Sequence, residues 1–301
     1  MNTKRVAAIV YGVYINPQVD WKSFIREQLA DLCATGVLAV ADLHVIVSNP
    51  FGVAGVEAFF VGLDVPCRRI LVHAKNKYEF WAISYLWHLA QGRAGYRYVA
   101  YLRTKSMSYA NKRRCKVEAV LTYFTFSSWR KALEIFETQK EINKIGLFPA
   151  RDRDDWGGWM WFNFWWAKAD YIRGLQKPRE GMERFYYEHW LSLTDACRGA
   201  PLDDSYSLYT MSKARFCASS TRPAVSVLRH RLSYQAMRAS GAVGKALRVS
   251  VGWSLDRVGL NTGSDAVFSQ GWTHALRAPF TTLAPRRHRA PAAPYGIAKR
   301  A

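Results

Sequence analysis

The sequence predicts an α/β fold with a mostly parallel sheet covered by helices on both faces. Apolar runs of strand length recur between residues 6 and 102, and amphipathic segments of helix length separate them. With 301 residues, of which 50% are hydrophobic, the chain can bury a sizeable core in one large domain. In open sheets of this kind, ligands bind beyond the carboxyl ends of the strands.

The predicted elements alternate in chain order. The strands are residues 6–14, 43–47, 69–73 and 98–102. The helices are residues 21–32, with Asp20 as the N-cap, 53–63 and 79–91.

A short basic segment follows the fourth predicted strand. It consists of Arg103, Thr104, Lys105 and Ser106. Cations can neutralise a phosphate and a hydroxyl can donate a hydrogen bond to it, so this segment is suited to a phosphate group. The alternative is a solvated basic loop, because charges at strand ends are common.

Residues 163–173 begin with Asn-Phe-Trp-Trp, which suits a strand, and continue with Ala-Lys-Ala-Asp-Tyr-Ile-Arg, which suits a helix start. We expect the abrupt change to leave side chains in a cleft. Trp165 and Trp166 would then offer flat faces to a sugar ring, unless these aromatics belong to the core. The side chains predicted to bond sugar hydroxyls are Asn163, Lys168 and Asp170.

The cysteines predict no zinc site. Five scattered cysteines form neither a C-x-x-C pair nor a cluster with histidine, which favours a reducing compartment. Asp152 and Asp154 form an Asp-x-Asp that could hold Mn²⁺ or Mg²⁺, although a solvated turn also explains it.

No signal-peptide pattern or membrane span is evident, so we expect a cytoplasmic protein.

The net charge of +20 is uneven along the chain. Residues 222–301 contain thirteen Lys and Arg against two Asp, which accounts for +11 of it. We expect a catalytic domain at 1–221, a basic amphipathic helical extension at 222–275, and a disordered Pro, Ala and Arg-rich tail at 276–301. The extension could lie on an anionic membrane surface or pack on the domain.

Three segments resemble a group of bacterial and viral glycosyltransferases related to those that assemble rhamnose-containing and capsular polysaccharides. Residues 98–106, Tyr-Val-Ala-Tyr-Leu-Arg-Thr-Lys-Ser, resemble a segment with Tyr-Leu-His-Thr-Lys-Gly. Residues 76–80 resemble its Asn-x-Tyr-Glu-Phe, and residues 163–173 its Asn-Phe-Trp-Trp-Ala-Lys-x-Asp-Tyr-Ile-Arg. The resemblance covers residues 5–210. This chain departs from the pattern at Arg103 for His, at Ser106 for Gly and at Phe162 for Gly.

The resemblance implies a nucleotide-sugar glycosyltransferase of the GT-A type, acting in surface polysaccharide synthesis. Such enzymes usually carry a metal-binding Asp-x-Asp after the fourth strand, where this chain has Arg-Thr-Lys. Cations at this position could neutralise the departing diphosphate, so we expect transfer without a metal cofactor. Mn²⁺ or Mg²⁺ at Asp152 and Asp154 is the alternative.

The expected general base is Glu188, with Asp170 as the second candidate. Glu188 could instead be a surface carboxylate paired with Arg184 at helical spacing. Arg184 is otherwise expected to contact the sugar or the acceptor.

The expected partners are a nucleotide-sugar donor and a glycan or lipid-linked acceptor, with peripheral contact to the inner face of the membrane. Two other classes of protein would each explain part of the sequence. A non-catalytic glycan-binding or inactive homologue would explain the tryptophans without the basic segment. A nucleic-acid-binding protein is disfavoured, because the basic residues lie mostly outside the aromatic stretch.

Overall fold

The computed structural model describes residues 5–92, 95–105, 107, 114–150, 158–193 and 204–209. The chain divides into two compact units, Met1–Leu260 and Asn261–Ala301, and every described residue belongs to the first. Several predictions lie outside the described residues. They concern Ser106, Asp152, Asp154, the extension at 222–275 and the tail at 276–301.

The described residues form seven strands and seven α-helices in one α/β arrangement. The strands are β1 (Ala7–Tyr14), β2 (Ala41–Ser48), β3 (Cys67–His73), β4 (Tyr98–Arg103), β5 (Lys144–Gly146), β6 (Trp165–Lys168) and β7 (Ser205–Ser207). The helices are α1 (Trp21–Ala34), α2 (Val56–Val61), α3 (Phe80–Gln91), α4 (Lys116–Ser127), α5 (Trp129–Thr138), α6 (Ala169–Arg173) and α7 (Arg184–His189).

The strands join into one sheet in the order β3-β2-β1-β4-β6-β5-β7. The first four strands run parallel, whereas β6 runs antiparallel to both β4 and β5. The predicted mostly parallel sheet is therefore confirmed. Its order also reverses at β1, because the chain moves outward through β2 and β3 and then returns to place β4 on the other side of β1.

The predicted strands and helices of the first hundred residues are confirmed, with small shifts at their ends. Asp20 caps α1 as expected, because its Oδ1 accepts a hydrogen bond from the Ser23 backbone N–H at 3.0 Å. Helix α2 is shorter than predicted and lies between Gly55 and Gly62. Strand β6 begins two residues later than the aromatic pattern suggested.

Helices cover both faces of the sheet, and alternate strand residues point to each. On one face, Val10, Val99 and Trp165 pack with residues of α3. On the other face, Trp166 donates from its indole to the Thr125 carbonyl of α4 at 3.0 Å. None of the helices among the described residues is long and apolar enough to cross a bilayer.

A buried ion pair ties the far edge of the sheet together. Lys144 of β5 lies 2.9 Å from Asp204, just before β7, and both side chains are almost fully buried. Lys144 also donates to the Tyr171 hydroxyl at 2.8 Å. Burial lowers the pKa of Lys144, while Asp204 acts to raise it. Each charge therefore compensates the other for the loss of contact with water.

Asp204→Asn should lower the free energy of unfolding by about 3–5 kcal/mol, because it leaves the buried Lys144 ammonium without its counter-charge. Urea denaturation measures this. The control is Asp170→Asn, whose side chain is 83% exposed and paired with Arg173, and which should change stability by less than about 0.5 kcal/mol. Equal effects of the two variants would contradict the account.

Candidate active site

A cavity of about 140 Å³ lies at the carboxyl ends of β1, β2 and β4, beside the start of α3. Parallel strands end at the same side of a sheet, and the order reverses between β1 and β4, so this is the place where such sheets bind ligands. The lining residues from these strands and the segments after them are Gly12, Val13, Tyr14, Ile46, Ser48, Tyr101, Arg103, Thr104 and Lys105. The other lining residues, from the start of α3 and of α7, are Asn76, Tyr78, Glu79, Trp81, Ala82 and Arg184.

Arg103 lies at the bottom of this site between two carboxylates. Its guanidinium forms an ion pair with Glu79 and donates to Glu188 Oε1 at 2.9 Å. All three side chains are nearly buried. Nε also approaches the Phe162 carbonyl at 3.4 Å. Because a buried charge needs partners, Arg103 joins β4 to the start of α3, to α7 and to the turn before β6.

Glu79 has further partners on its other oxygen. Its Oε2 accepts from the Tyr101 hydroxyl at 3.0 Å and from the Asn163 amide at 2.8 Å. The same amide donates to the Tyr187 carbonyl at 3.1 Å, and Asn163 Oδ1 accepts from the Trp165 indole at 3.3 Å. The Asn163 amide group is therefore occupied within the protein.

Gly12 makes room for this arrangement. A Cβ at this position would come within 2.7 Å of the Tyr101 hydroxyl oxygen and 3.2 Å of the Ala82 side chain. Any larger residue would push Tyr101 away from Glu79.

The cavity is also lined by Thr104 and by two further cations, Lys105 and Arg184. Thr104 Oγ1 accepts from the Tyr14 backbone N–H at 2.9 Å, so its hydroxyl proton is directed elsewhere. Lys105 Nζ lies 4.9 Å from the centre of the Phe162 ring, and Arg184 Nη2 lies 3.8 Å from Glu188 Oε1. Three cations thus meet the two carboxylates, Glu79 and Glu188, which leaves one positive charge in excess.

This clustering shifts the pKa values of two groups. Burial and the neighbouring Arg103 charge lower the pKa of Lys105 to about 8, against an opposing effect of Glu188. Burial raises the pKa of Glu188, but the charges of Arg103, Lys105 and Arg184 outweigh it and hold that pKa below its usual value. Glu188 is therefore ionised at neutral pH.

The opposite face of the sheet also holds Arg103. Gln28 of α1 donates from Nε2 to the Arg103 carbonyl at 3.1 Å and accepts from the Tyr11 hydroxyl at 2.6 Å. The Gln28 side chain is fully buried. Its amide also lies 3.2 Å from Thr122 Oγ1, which bonds to Glu118. A network of buried hydrogen bonds, centred on Gln28, therefore lies on this side of β4.

The predicted sugar-stacking role of Trp165 and Trp166 is wrong. Their exposed fractions are 1% and 0%, so neither ring can meet a ligand. Asn163 is 1% exposed and its amide bonds only to protein groups, so its predicted contact with a sugar hydroxyl is wrong as well. These residues belong to the buried interior of the protein.

Lys168 and Asp170 lie at the other end of the sheet. Because β6 is antiparallel to β4, Lys168 pairs with Tyr98, five residues before Arg103. At about 3.3 Å per residue this places Lys168 about 17 Å from the basic segment. Asp170 follows it on α6 and points to solvent. Both are thus too far from the cavity to serve as sugar contact or base there.

The predicted diphosphate-binding residues Arg103, Thr104 and Lys105 do meet at the cavity, together with Arg184. Glu188 lies behind Arg103, whereas Glu79 lines the cavity itself. Sequence reasoning assigned no role to Glu79. The available signal was its position in the Asn-Lys-Tyr-Glu-Phe segment at the start of a predicted helix.

Among the described residues, no group of three or more His, Cys, Asp or Glu is arranged to hold a metal ion. The carboxylates at the cavity, Glu79 and Glu188, are each paired with Arg103, an arrangement that does not suit a divalent cation.

No family model matches this chain, and no curated protein matches it in sequence. Among solved structures it is similar to the mannosyltransferase PcManGT from Pyrobaculum calidifontis in complex with GDP-Man and Mn²⁺. The two chains are 10% identical with a TM-score of 0.36, and the match covers 93% of this chain and 83% of the other. Values of this size assign neither a ligand nor an activity to this chain.

Glu79→Gln should lower the free energy of unfolding by about 3 kcal/mol, because the buried Arg103 loses one of its two carboxylate partners. The matched control is Glu180→Gln, which removes an exposed carboxylate paired with Lys77 and should cost less than about 0.5 kcal/mol. Urea denaturation of both variants checks this. If the urea midpoint of Glu79→Gln equals that of the control, the ion pair between Glu79 and Arg103 does not stabilise the fold.

Proposed function

We propose that this chain is a glycosyltransferase that uses a nucleotide-sugar donor and binds the donor diphosphate at the cavity. The observation that carries the proposal is the meeting of Arg103, Lys105 and Arg184 at the carboxyl ends of the parallel strands, beside the reversal of strand order. The resemblance of residues 5–210 to nucleotide-sugar glycosyltransferases, which includes Arg103 and Lys105, agrees with this proposal.

The size and charge of the cavity fit part of such a donor. A volume of about 140 Å³ has room for only part of a nucleotide sugar. The remaining groups would lie along the open surface. The excess positive charge favours a diphosphate, and it increases in effect as negative charge develops on the leaving group.

The cations at the end of β4 supply the stabilisation that a metal ion would otherwise give, so we propose transfer without a metal cofactor. Arg103 is already paired with Glu79 and Glu188, so Lys105 and Arg184 make the main contacts with phosphate oxygens. Thr104 contributes its hydroxyl proton. Mn²⁺ or Mg²⁺ at Asp152 and Asp154 is the outcome that would replace this assignment.

We propose Glu188 as the general base that takes the proton of the acceptor hydroxyl. Its carboxylate is ionised at neutral pH, and although it lies behind Arg103, it is 3.8 Å from Arg184, which lines the cavity. Glu79 is less suited, because both of its oxygens serve Arg103, Tyr101 and Asn163. The proposed acceptor is a glycan or a lipid-linked acceptor. Burial of Trp165 and Trp166 removes the main support for a glycan-binding module without catalysis.

Nucleoside diphosphates should raise the melting temperature of the protein, because a ligand that binds only the native state stabilises it. A thermal-shift screen with UDP, GDP, dTDP and CDP, each with EDTA and with Mn²⁺, tests this. A shift with one nucleotide in EDTA supports the metal-free site. A shift that requires Mn²⁺ would contradict it, and the absence of any shift would overturn the proposed function.

Lys105→Met should weaken binding of that nucleotide roughly tenfold to hundredfold, since a charge-assisted hydrogen bond to phosphate is lost. The native affinity should also fall as the pH rises above about 8, by up to about tenfold per pH unit, because Lys105 then loses its proton in the unbound protein. Calorimetry between pH 7 and 9 measures both effects.

Lys140→Met is the matched control for this experiment, because it removes a cation whose side chain is 77% exposed. It should leave both the affinity and its pH dependence unchanged. A Lys105→Met protein that keeps the native pH dependence would exclude Lys105 as the titrating group.

Glu188→Gln should reduce transfer at least about a hundredfold, which is the usual contribution of a general base, while nucleotide binding stays equal or becomes tighter. The substitution removes a negative charge near the diphosphate but also one carboxylate partner of Arg103, so equal or tighter nucleotide binding also shows that the variant keeps the folded site. Release of nucleoside diphosphate from the donor, in the presence of acceptor, measures transfer. The exposed Glu183→Gln is the control. Full activity of Glu188→Gln would exclude it as the base.

A further inference from the structure

Tyr78 lines the cavity with a backbone conformation that is unusual for a tyrosine. It belongs to the segment between β3 and α3, and the residue is 55% exposed. Its backbone φ is 51°, in the left-handed region that non-glycine residues rarely adopt. The Tyr78 N–H donates to Asn76 Oδ1 at 3.0 Å, which holds this turn. A strained, exposed aromatic at a cavity indicates a role in binding.

The residues that line the cavity include both cations and aromatic residues. The cations Lys105 and Arg184 come from the segments after β4 and at the start of α7. Tyr14, Tyr78 and Trp81 come from the end of β1 and the start of α3. A nucleoside diphosphate has the same two parts, because its phosphates are anionic and its base is a flat ring with π-faces.

Trp81 is a poor candidate for contact with such a base. Its ring stacks on His73, with centroids 4.0 Å apart and planes within 2°. Lys77 Nζ lies 4.4 Å from the centre of the same ring, and the indole N–H donates to the Lys75 carbonyl at 2.9 Å. Trp81 is therefore fixed by protein groups, and Tyr78 is the cavity aromatic with the greater exposure.

We propose that Tyr78 is the stacking surface for the nucleobase of the donor, an inference that rests on the proposed function. With the diphosphate at Lys105 and Arg184, the base would lie against the exposed Tyr78, which lines the same cavity. Stacking of this kind tolerates any base, because every base has a π-face. Tyr78 thus adds affinity for the nucleoside, and other residues select among bases.

The test compares Tyr78→Asn with Tyr78→Phe. Asparagine tolerates the left-handed backbone better than most residues, so Tyr78→Asn removes the ring without disturbing the turn. Tyr78→Phe keeps the ring. Phe185→Ala is the matched control, since Phe185 is 40% exposed but does not line the cavity. Unchanged melting temperatures show that all three proteins are folded.

Isothermal titration calorimetry with UDP, GDP, dTDP, CDP and inorganic pyrophosphate gives the readout. Tyr78→Asn should weaken binding of the preferred nucleoside diphosphate roughly tenfold to hundredfold and leave pyrophosphate binding unchanged. Tyr78→Phe and Phe185→Ala should bind both ligands like the native protein. An equal loss for pyrophosphate, or no loss for the nucleotide, would overturn the inference.

Two further outcomes separate this inference from the function on which it rests. If Tyr78→Asn weakens binding of the nucleotide sugar but not of the nucleoside diphosphate, the ring contacts the sugar and the nucleobase assignment is overturned. If the native protein binds neither nucleoside diphosphates nor pyrophosphate, the proposed function fails and the inference fails with it. Native binding that Tyr78→Asn leaves intact overturns the inference alone.

Discussion

The paired charges of Arg103 are the interaction on which the described part of the molecule depends most. A guanidinium at the end of a central strand is nearly buried, and desolvation makes it unfavourable unless carboxylates surround it. Glu79 and Glu188 meet this need from segments far apart in the chain. The start of α3, the end of β4 and helix α7 are therefore fixed relative to one another, and the cavity takes its shape from that arrangement.

Much of the parallel half of the sheet could be predicted from the sequence. Runs such as Ala-Ala-Ile-Val-Tyr-Gly-Val-Tyr in β1 are apolar throughout, because strands between two helix layers are buried on both faces. Once four such strands are parallel, their carboxyl ends must lie together, so the placement of Arg103, Thr104 and Lys105 at a cavity follows from topology. This placement depends on strand direction and not on side-chain contacts.

The wrong placement of Lys168 and Asp170 has one cause, which is the direction of β6. The aromatic pattern identified a strand followed by a helix, but hydrophobicity carries no information on whether a strand is parallel or antiparallel. Since β6 runs antiparallel to β4, its end carries Lys168 and Asp170 away from the cavity. Burial on both faces then encloses Trp165 and Trp166. Glu79 was missed for a different reason, because only the folded chain brings its carboxylate to Arg103, Tyr101 and Asn163.

Gln28 gives the site a second layer on the side that no ligand can reach. Its amide holds the backbone of Arg103 from beneath the sheet, while the carboxylates hold the side chain from above. Small changes in α1 would thus be transmitted to the guanidinium through the strand, without altering any residue that lines the cavity. In directed evolution, the lining residues would then not be the only useful positions, because libraries built on the buried face of α1 could alter the position of Arg103 without changing any residue that lines the cavity.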